Sequence, residues 1–533
     1  MDTDTRTRAP LRAPRLWTAT LIVFISSACM MTLELVAGRI VAPYVGVSLY
    51  TWTSVIGIIL AGMSLGNYIG GRLADRWASY RLLGILFLLG GLTSIGVLLV
   101  DTLGTRLPNE WPIVIRIIIL VTALFFIPST LLGTISPVVT KLAVLDLART
   151  GSTVGRISAA GTAGSIIGTF ATGFLLIAWF GTHAIIWGVA VVLLAMAAVF
   201  FLTGLQTRKR VISAILSVFL IGVATAVATV QGWTSSRCSL ETNYFCITVH
   251  ESEHAGKPMR TLVLDRLVHS YSSLEDPTQL VYGYEKVYAE ATHYQSLRHD
   301  RLAALFIGGG GYTFPRYMEA LYPASELDVI EIDPGVTQTA YSSLGLARDS
   351  RIKSYNEDAR MFLERQPDKR YSLIMGDAFN DYSVPYHLTT LEFNERVRTW
   401  LADDGLYLVN LIDGPRRDFL RSYTATLAKT FDYIYIVPAL RGWRESPRVT
   451  FVIIASDQPL DLERFRDIDA GDGETLLADT VLPDTDRDAL LSEDKLVLLT
   501  DQYAPVDQML APVVRGETVR PDAPSLQGGS KAQ

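Results

Sequence analysis

The sequence predicts two fold classes in one chain: an α-helical transmembrane bundle of about seven helices, then an α/β domain of Rossmann-like topology preceded by a small β-subdomain. Three observations predict this. Residues 16 to 230 are apolar runs broken by short basic loops. Residues 235 to 510 have the mixed composition of a soluble domain. Within that half, short apolar runs alternate with amphipathic stretches, as βαβ units do. A chain of 533 residues is too long for one ordinary core, which agrees with two domains. The net charge of −6 gives no footprint for nucleic acid.

The bundle comes first. A helix needs roughly 20 apolar residues to cross the hydrocarbon core. Seven runs qualify: 16–38, 49–70, 82–101, 112–135, 157–180, 183–204 and 211–230. They form a bundle over 16–230, after a cytoplasmic tail of residues 1–15, with membrane lipid around it. No cleavable signal peptide is evident, because the first run is long and no small-residue cleavage site follows it. The many glycines (Gly57, Gly62, Gly66, Gly70 and Gly71 in the second run) read as helix packing. Basic residues cluster in the tail and in alternate loops (Arg72, Arg76 and Arg81; Lys141, Arg149 and Arg156; Arg208, Lys209 and Arg210), which puts the N-terminus in the cytoplasm. Glu34 is the one acid inside the first run; it reads either as a functional group within the membrane or as an interfacial carboxylate paired with Arg39 or Arg116.

In the soluble half, residues 235–300 read as the β-subdomain and a lead-in helix, and 301–507 as the Rossmann-like domain. Strands are predicted at Leu302–Ile307, Leu327–Ile332, Ile352–Tyr355, Ser372–Met375, Leu406–Leu411, Tyr433–Val437 and Val449–Ala455. The last two are separated by a polar stretch without a helix, which predicts a hairpin. Five parallel strands and an antiparallel hairpin is the methyltransferase-type pattern. Residues 508–533 are polar and contain Pro and Gly, which predicts a disordered tail.

Chemistry concentrates at the strand ends. The first strand runs into Gly308-Gly309-Gly310-Gly311, where the backbone can turn sharply and approach a ligand. Glu331 and Asp333 close the second strand about 20 residues on, where a carboxylate can accept both ribose hydroxyls. Asp358 follows the third strand and Asp377 ends the fourth.

These residues resemble the spermidine synthase (polyamine aminopropyltransferase) family, in a membrane-fused form whose helical bundle is similar to major-facilitator proteins through Gly71-Arg72-Leu73-Ala74-Asp75-Arg76. Thr261 to Asp265 resembles the family's Leu-Asp segment, with His269 where a Gln normally stands. Tyr284-Glu285-Lys286-Val287-Tyr288-Ala289-Glu290 resembles Asp-Glu-x-x-Tyr-His-Glu, and Gly308 to Gly311 resembles Gly-Gly-Gly-Asp. Val329 to Asp333 is similar to the ribose-holding strand, Glu357-Asp358-Ala359 to the pair beside adenine, and Leu388 to Phe393 to the segment after the general base. The resemblance implies that Asp377 is catalytic. It implies that Asn243, His269, Gly308, Gly310, Glu331, Asp333, Asp358, Ala359 and Pro385 hold the nucleoside, and that Tyr284, Glu285, Asn380 and Asp381 hold the amine. Three departures fall on the amine side: Ala289 for His, Gly311 for Asp, and Asn380 for the second Asp of Asp-x-x-Asp. They imply a retained thionucleoside site with an altered acceptor site.

The function implied is transfer of an aminopropyl group from decarboxylated S-adenosylmethionine to an amine, putrescine or a diverged acceptor, releasing methylthioadenosine. No metal is needed. Two alternatives stand beside it: a transferase using intact S-adenosylmethionine for another group, and a transporter or sensor that binds nucleoside or polyamine without catalysis. Seven helices are about half of a major-facilitator transporter, so transport would require a homodimer. Seven crossings from a cytoplasmic N-terminus put the soluble domain outside, and Cys238 and Cys246 are close enough in sequence to pair there.

Overall fold

The computed structural model describes residues 16–108, 111–144, 149–202, 222–227, 229–232, 236–378, 384–471, 473–492 and 496–511. Two short loop segments apart, the chain divides into an N-terminal unit ending at Arg237 and a C-terminal unit beginning at Cys238.

Among the described residues, six helical stretches are long and apolar enough to cross a membrane: Leu16–Val45, Leu49–Trp77, Tyr80–Leu99, Ile113–Ala143, Thr150–Trp179 and Thr182–Leu202. The seventh predicted run, 211–230, lies mostly outside the described residues; 222–227 and 229–230 of it are helical. The elements are α1 (Leu16–Val45), α2 (Leu49–Trp77), α3 (Tyr80–Gly96), α4 (Val100–Arg106), α5 (Ile113–Gly133), α6 (Ile135–Ala143), α7 (Thr150–Ala171), α8 (Ile177–Trp179) and α9 (Thr182–Leu202). Helix α1 runs past Arg39 and α7 begins before Arg156, so the basic residues that bound the apolar runs in sequence are themselves helical. The predicted run 82–101 is broken by a 3-10 turn at Val97–Leu99, and a π turn at Thr172–Leu176 joins α7 to α8.

Small residues set the helix contacts. Gly62, Gly66 and Gly70 recur every four residues on one face of α2. A Cβ on Gly66 would stand 2.2 Å from the carbonyl oxygen of Thr130, and one on Gly133 would stand 2.9 Å from that of Met63. On α7, a Cβ on Gly164 would stand 2.2 Å from the carbonyl oxygen of Phe24 in α1. Any side chain there would force the backbones apart. Thr172 Oγ1 donates to Thr32 Oγ1 at 3.0 Å across the same pair of segments. Lys141 in α6 pairs with Asp75 in α2 at 2.9 Å.

The C-terminal unit opens with a four-stranded antiparallel sheet in the order β1 (Leu240–Glu241), β2 (Cys246–His254), β3 (Lys257–Leu264), β4 (Leu267–Ser272). Ala255 and Gly256, both with positive φ, make the tight β2–β3 turn. Ile247, Leu262 and Leu264 bury one face of this sheet against Val336 and Leu344. A disulfide joins Cys238 to Cys246, with Cα atoms 5.2 Å apart, and closes the entry to the first hairpin.

The main sheet has seven strands: β5 (Ala303–Ile307), β6 (Glu326–Ile330), β7 (Lys353–Tyr355), β8 (Tyr371–Gly376), β9 (Leu401–Asp413), β10 (Tyr433–Pro438) and β11 (Val449–Ser456). Their order is β10-β11-β9-β8-β5-β6-β7. The pairs among β5 to β9 are parallel, and β11 lies between β9 and β10, antiparallel to both. Successive side chains alternate between two cores: Leu305, Ile307 and Ile374 enter one, Ala304, Phe306, Leu373 and Met375 the other. Covering on both faces is why these strands read as unbroken apolar runs.

Of the predicted disordered tail, residues 508–511 are ordered and 512–533 lie outside the described residues. Val506–Met509 is a short helix, and Met509, Leu510 and Ala511 are buried. The apolar side chains of Met509 and Leu510 join the core despite the polar sequence that follows.

Candidate active site

The strand order reverses between β5 and its neighbours β6 and β8, and the glycine loop leaves β5 at that point, the place where open α/β sheets form ligand crevices. Gly308 has φ +98°, and a Cβ there would stand 2.4 Å from the carbonyl oxygen of Asp377. A Cβ on Gly309 would strike the Tyr312 ring at 2.7 Å. Gly310 has φ +48° and faces open space. Gly311 packs so closely under β4 that its Cβ would lie 1.9 Å from Ser270 Oγ.

Glu331 is buried just beyond β6. Its Oε2 accepts from the backbone N–H of Gly309 at 2.8 Å and of Gly310 at 3.3 Å, and its Oε1 accepts from that of Asp333 at 2.9 Å. Burial raises its pKa, against the pull of those three amides. The acid that the sequence places on ribose therefore also ties down the glycine loop. A carboxylate has about four acceptor sites, so room remains for a ligand hydroxyl.

The acids at the other strand ends differ in what they do. Asp333 is fully buried and caps the helix Pro334–Ser343, with Oδ1 accepting from Gly335 N at 2.8 Å. Its Oδ2 accepts from Thr242 Oγ1 at 2.5 Å. The sequence groups Asp333 with the nucleoside ligands; the structure commits both of its oxygens to the cap and to the β1–β2 hairpin. Asp358 caps Ala359–Leu363, with Oδ1 accepting from Arg360 N and Met361 N, and its Oδ2 lies 3.2 Å from His387 Nε2. Pro385 precedes the 3-10 turn Tyr386–Leu388 that carries His387, so Asp358, Ala359 and Pro385 share one neighbourhood. Asn243 is exposed in the β1–β2 turn. Asn380 and Asp381 lie outside the described residues.

Asp377 ends β8 and is held from two sides. Its Oδ1 accepts from Asn410 Nδ2 on β9 at 2.8 Å, and its Oδ2 accepts from the Tyr284 hydroxyl at 3.0 Å. Burial raises its pKa, and these two donors oppose the rise. Tyr284 belongs to the helix Gly283–Ser296, which Tyr288 anchors to the sheet by donating to the carbonyls of Gly376 and Leu408. In the same helix Glu285 accepts from Tyr282 N in a capping box, and burial pushes its carboxyl up to about 8. Glu290 accepts from Leu476 N and Leu477 N and so fastens a later helix.

One cavity brings together His269, Ser270, Tyr284, Glu285, Gly308 to Gly311 and Asp377. Burial lowers His269 to about 4, and its Nε2 has no hydrogen-bond partner. A buried atom of that kind beside a glycine loop suits a bound ligand. Sequence reasoning passes over Asn410, Ser270 and Thr242. Asn410 had a signal: it is the polar interruption in the apolar run Leu406 to Ile412. Ser270 and Thr242 had none, because serine and threonine are common in strands and turns.

Fold and site define a methyltransferase-type α/β domain with a carboxylate at the carboxyl edge of its sheet. No family model matches the chain. Over its C-terminal part it is similar to polyamine aminopropyltransferases. That of Vibrio vulnificus (strain CMCP6) is 35% identical over 108 residues, 20% of this chain and 36% of that protein. That of Corynebacterium efficiens (strain DSM 44549) is 25% identical over 341 residues, 60% of this chain and 63% of that protein. The chain thus spans less than two thirds of either relative. A crystal structure of a probable spermidine synthase from Corynebacterium glutamicum ATCC 13032 aligns over 49% of this chain and 95% of its own, with 21% identity and a TM-score of 0.43.

Proposed function

We propose that this chain is a membrane-bound aminopropyltransferase that uses decarboxylated S-adenosylmethionine and an amine acceptor and releases methylthioadenosine. The observation that carries the reading is Asp377: an acid at the switch-point edge, oriented by Asn410 and Tyr284, facing a cavity under a glycine loop. The similarity to polyamine aminopropyltransferases supports it.

In this reading Glu331, Gly308, Gly310 and the Asp358–Ala359–Pro385 neighbourhood hold the nucleoside, with Asn243 and His269 at its margin. Asp333 positions the helix and hairpin beside them. The donor supplies a sulfonium, already a good leaving group. The chain aligns the amine for in-line attack: the N–C bond forms as the C–S bond breaks, the electron pair stays on sulfur, and Asp377 takes the amine proton. Tyr284 and Glu285 shape the acceptor side, with Asn380 and Asp381.

The helical bundle anchors the domain, and the basic loops and the Cys238–Cys246 disulfide favour an extracytoplasmic C-terminal unit.

The test is to incubate purified full-length protein with decarboxylated or intact S-adenosylmethionine and a panel of amines, and to identify products by mass. Methylthioadenosine with an amine heavier by one aminopropyl group is expected. A methylated product from intact S-adenosylmethionine would replace this reading with methyl transfer.

A further inference from the structure

The first hairpin of the C-terminal unit reaches the glycine loop through an unbroken chain of hydrogen bonds. Strand β1 is two residues long and pairs with β2 through Leu240–Ile247 and Glu241–Cys246. A ladder that short holds a strand weakly. Cys246 is fixed from the other side: its backbone N–H donates to Asp265 Oδ1 and its carbonyl accepts from Asp265 N, both at 2.9 Å. The disulfide to Cys238 therefore tethers the start of β1 to a residue that the sheet already holds.

Thr242 follows β1 directly, inside the loop that the disulfide closes. Its Oγ1 accepts from Tyr244 N at 3.1 Å and from Phe245 N at 3.0 Å. Its single proton has two acceptors in reach, Asp333 Oδ2 at 2.5 Å and the Phe245 carbonyl at 3.3 Å. The carboxylate is nearer and charged, so it takes the proton's hydrogen bond. The hairpin is seated closely: a Cβ on Gly335 would stand 2.3 Å from Thr242 Cγ2. From Asp333 the chain continues inward. Asp333 N donates to Glu331 Oε1 at 2.9 Å, and Gly309 N donates to Glu331 Oε2 at 2.8 Å.

We propose that Thr242 is a positioning residue for the nucleoside pocket and that the Cys238–Cys246 disulfide holds it against Asp333, so that opening the disulfide weakens nucleoside binding; this rests on the nucleoside reading of Glu331 and the glycine loop. Thr242 fixes Asp333, and the Asp333 N–H fixes the Glu331 carboxylate that orients Gly309 and Gly310. Asn243, which that reading puts at the margin of the pocket, rides on the same hairpin. Reduction by a dithiol breaks the S–S bond. Two electrons and two protons pass to the cysteines as two thiols, and the dithiol closes to its own disulfide. The hairpin then loses its covalent tether.

The test uses full-length protein in detergent and calorimetric titration with methylthioadenosine, with thermal melts alongside to show that each sample is folded. Thr242→Val removes the hydroxyl and keeps the shape, and is expected to bind about five- to tenfold more weakly; Thr242→Ser keeps the hydroxyl and should stay within about twofold of wild type. Reducing the wild-type protein with dithiothreitol needs no substitution and should weaken binding by a similar factor. Since both changes act through one contact, reducing Thr242→Val should add less than about twofold. Unchanged affinity in the folded reduced protein or in Thr242→Val overturns the proposal. So do equal losses in the Ser and Val variants, or losses that multiply when Thr242→Val is reduced. Failure of the oxidised wild-type protein to bind methylthioadenosine would instead remove the nucleoside reading, and the positioning inference with it.

Discussion

The hydroxyl of Tyr284 donates a 3.0 Å hydrogen bond to Oδ2 of Asp377, from a residue 93 positions earlier in the chain. Hydrogen bonding to the charged form of a carboxylate favours that form. Removing this donor in Tyr284→Phe should therefore raise the Asp377 pKa. Since a base must be ionised to act, the acid limb of the kcat/KM profile should move to higher pH. Activity should recover at alkaline pH. An unmoved limb would show that Tyr284 does not tune the base.

Asp377→Asn keeps the shape of the side chain but cannot accept a proton at neutral pH. Turnover should fall by roughly 10²–10⁴-fold while methylthioadenosine affinity, measured by calorimetry, changes little. A rate near wild type would mean that the reaction needs no base at this position.

Glu331 reaches both the glycine loop and the start of the next helix, so Glu331→Ala should act twice. It leaves Gly309 N and Gly310 N without their acceptor. Methylthioadenosine affinity should fall by at least about tenfold, since a hydrogen bond involving a charged group contributes roughly 1.5–3 kcal/mol. If the folded variant binds the nucleoside as tightly as wild type, the loop is not the nucleoside site.

Glu285 gives a stability prediction with a definite sign. Burial raises its folded-state pKa to about 8 from an ordinary 4.5. Between those values the folded protein holds a proton that the unfolded chain has lost. Stability from this group is present below about pH 4.5 and declines as pH rises to about 8, by an amount on the order of 2–5 kcal/mol. Glu285→Gln, which can keep the Tyr282 cap, should flatten that decline. Thermal melts at pH 5.5 and 8.5 should show the variant gaining on wild type at the higher pH. Parallel curves would show that Glu285 does not titrate there.

The disulfide and the topology can be tested together. An alkaline phosphatase fusion after residue 240 should be active and a fluorescent-protein fusion there dark, and Cys238 and Cys246 should resist alkylation until reduced. Reduction should destabilise the C-terminal unit by about 2–3 kcal/mol, as expected for so short a closed loop. Freely alkylated thiols with the opposite fusion results would place the domain in the cytoplasm.

The sequence by itself determined what depends on neighbours along the chain. Apolar runs of sufficient length marked the bundle, period-two alternation and apolar runs marked all seven strands of the main sheet to within a few residues, and Gly308 to Gly311 marked the sharp turn after the first of them. These are local signals, because helix length, strand pleat and positive φ are each set by a few consecutive residues. Only the tertiary structure decided which acid does what. Asp333, Asp358 and Asp377 look alike in sequence, each at a strand end. The first is closed off by a helix cap and Thr242, the second shares its carboxylate between a cap and His387, and the third is clasped by Asn410 and Tyr284. Likewise β11 had to insert between β9 and β10, antiparallel to both, to complete the sheet on the side that supplies Asn410. Residues 284, 377 and 410 meet because strand order and helix docking bring them together, and sequence periodicity carries no information about pairings between distant segments.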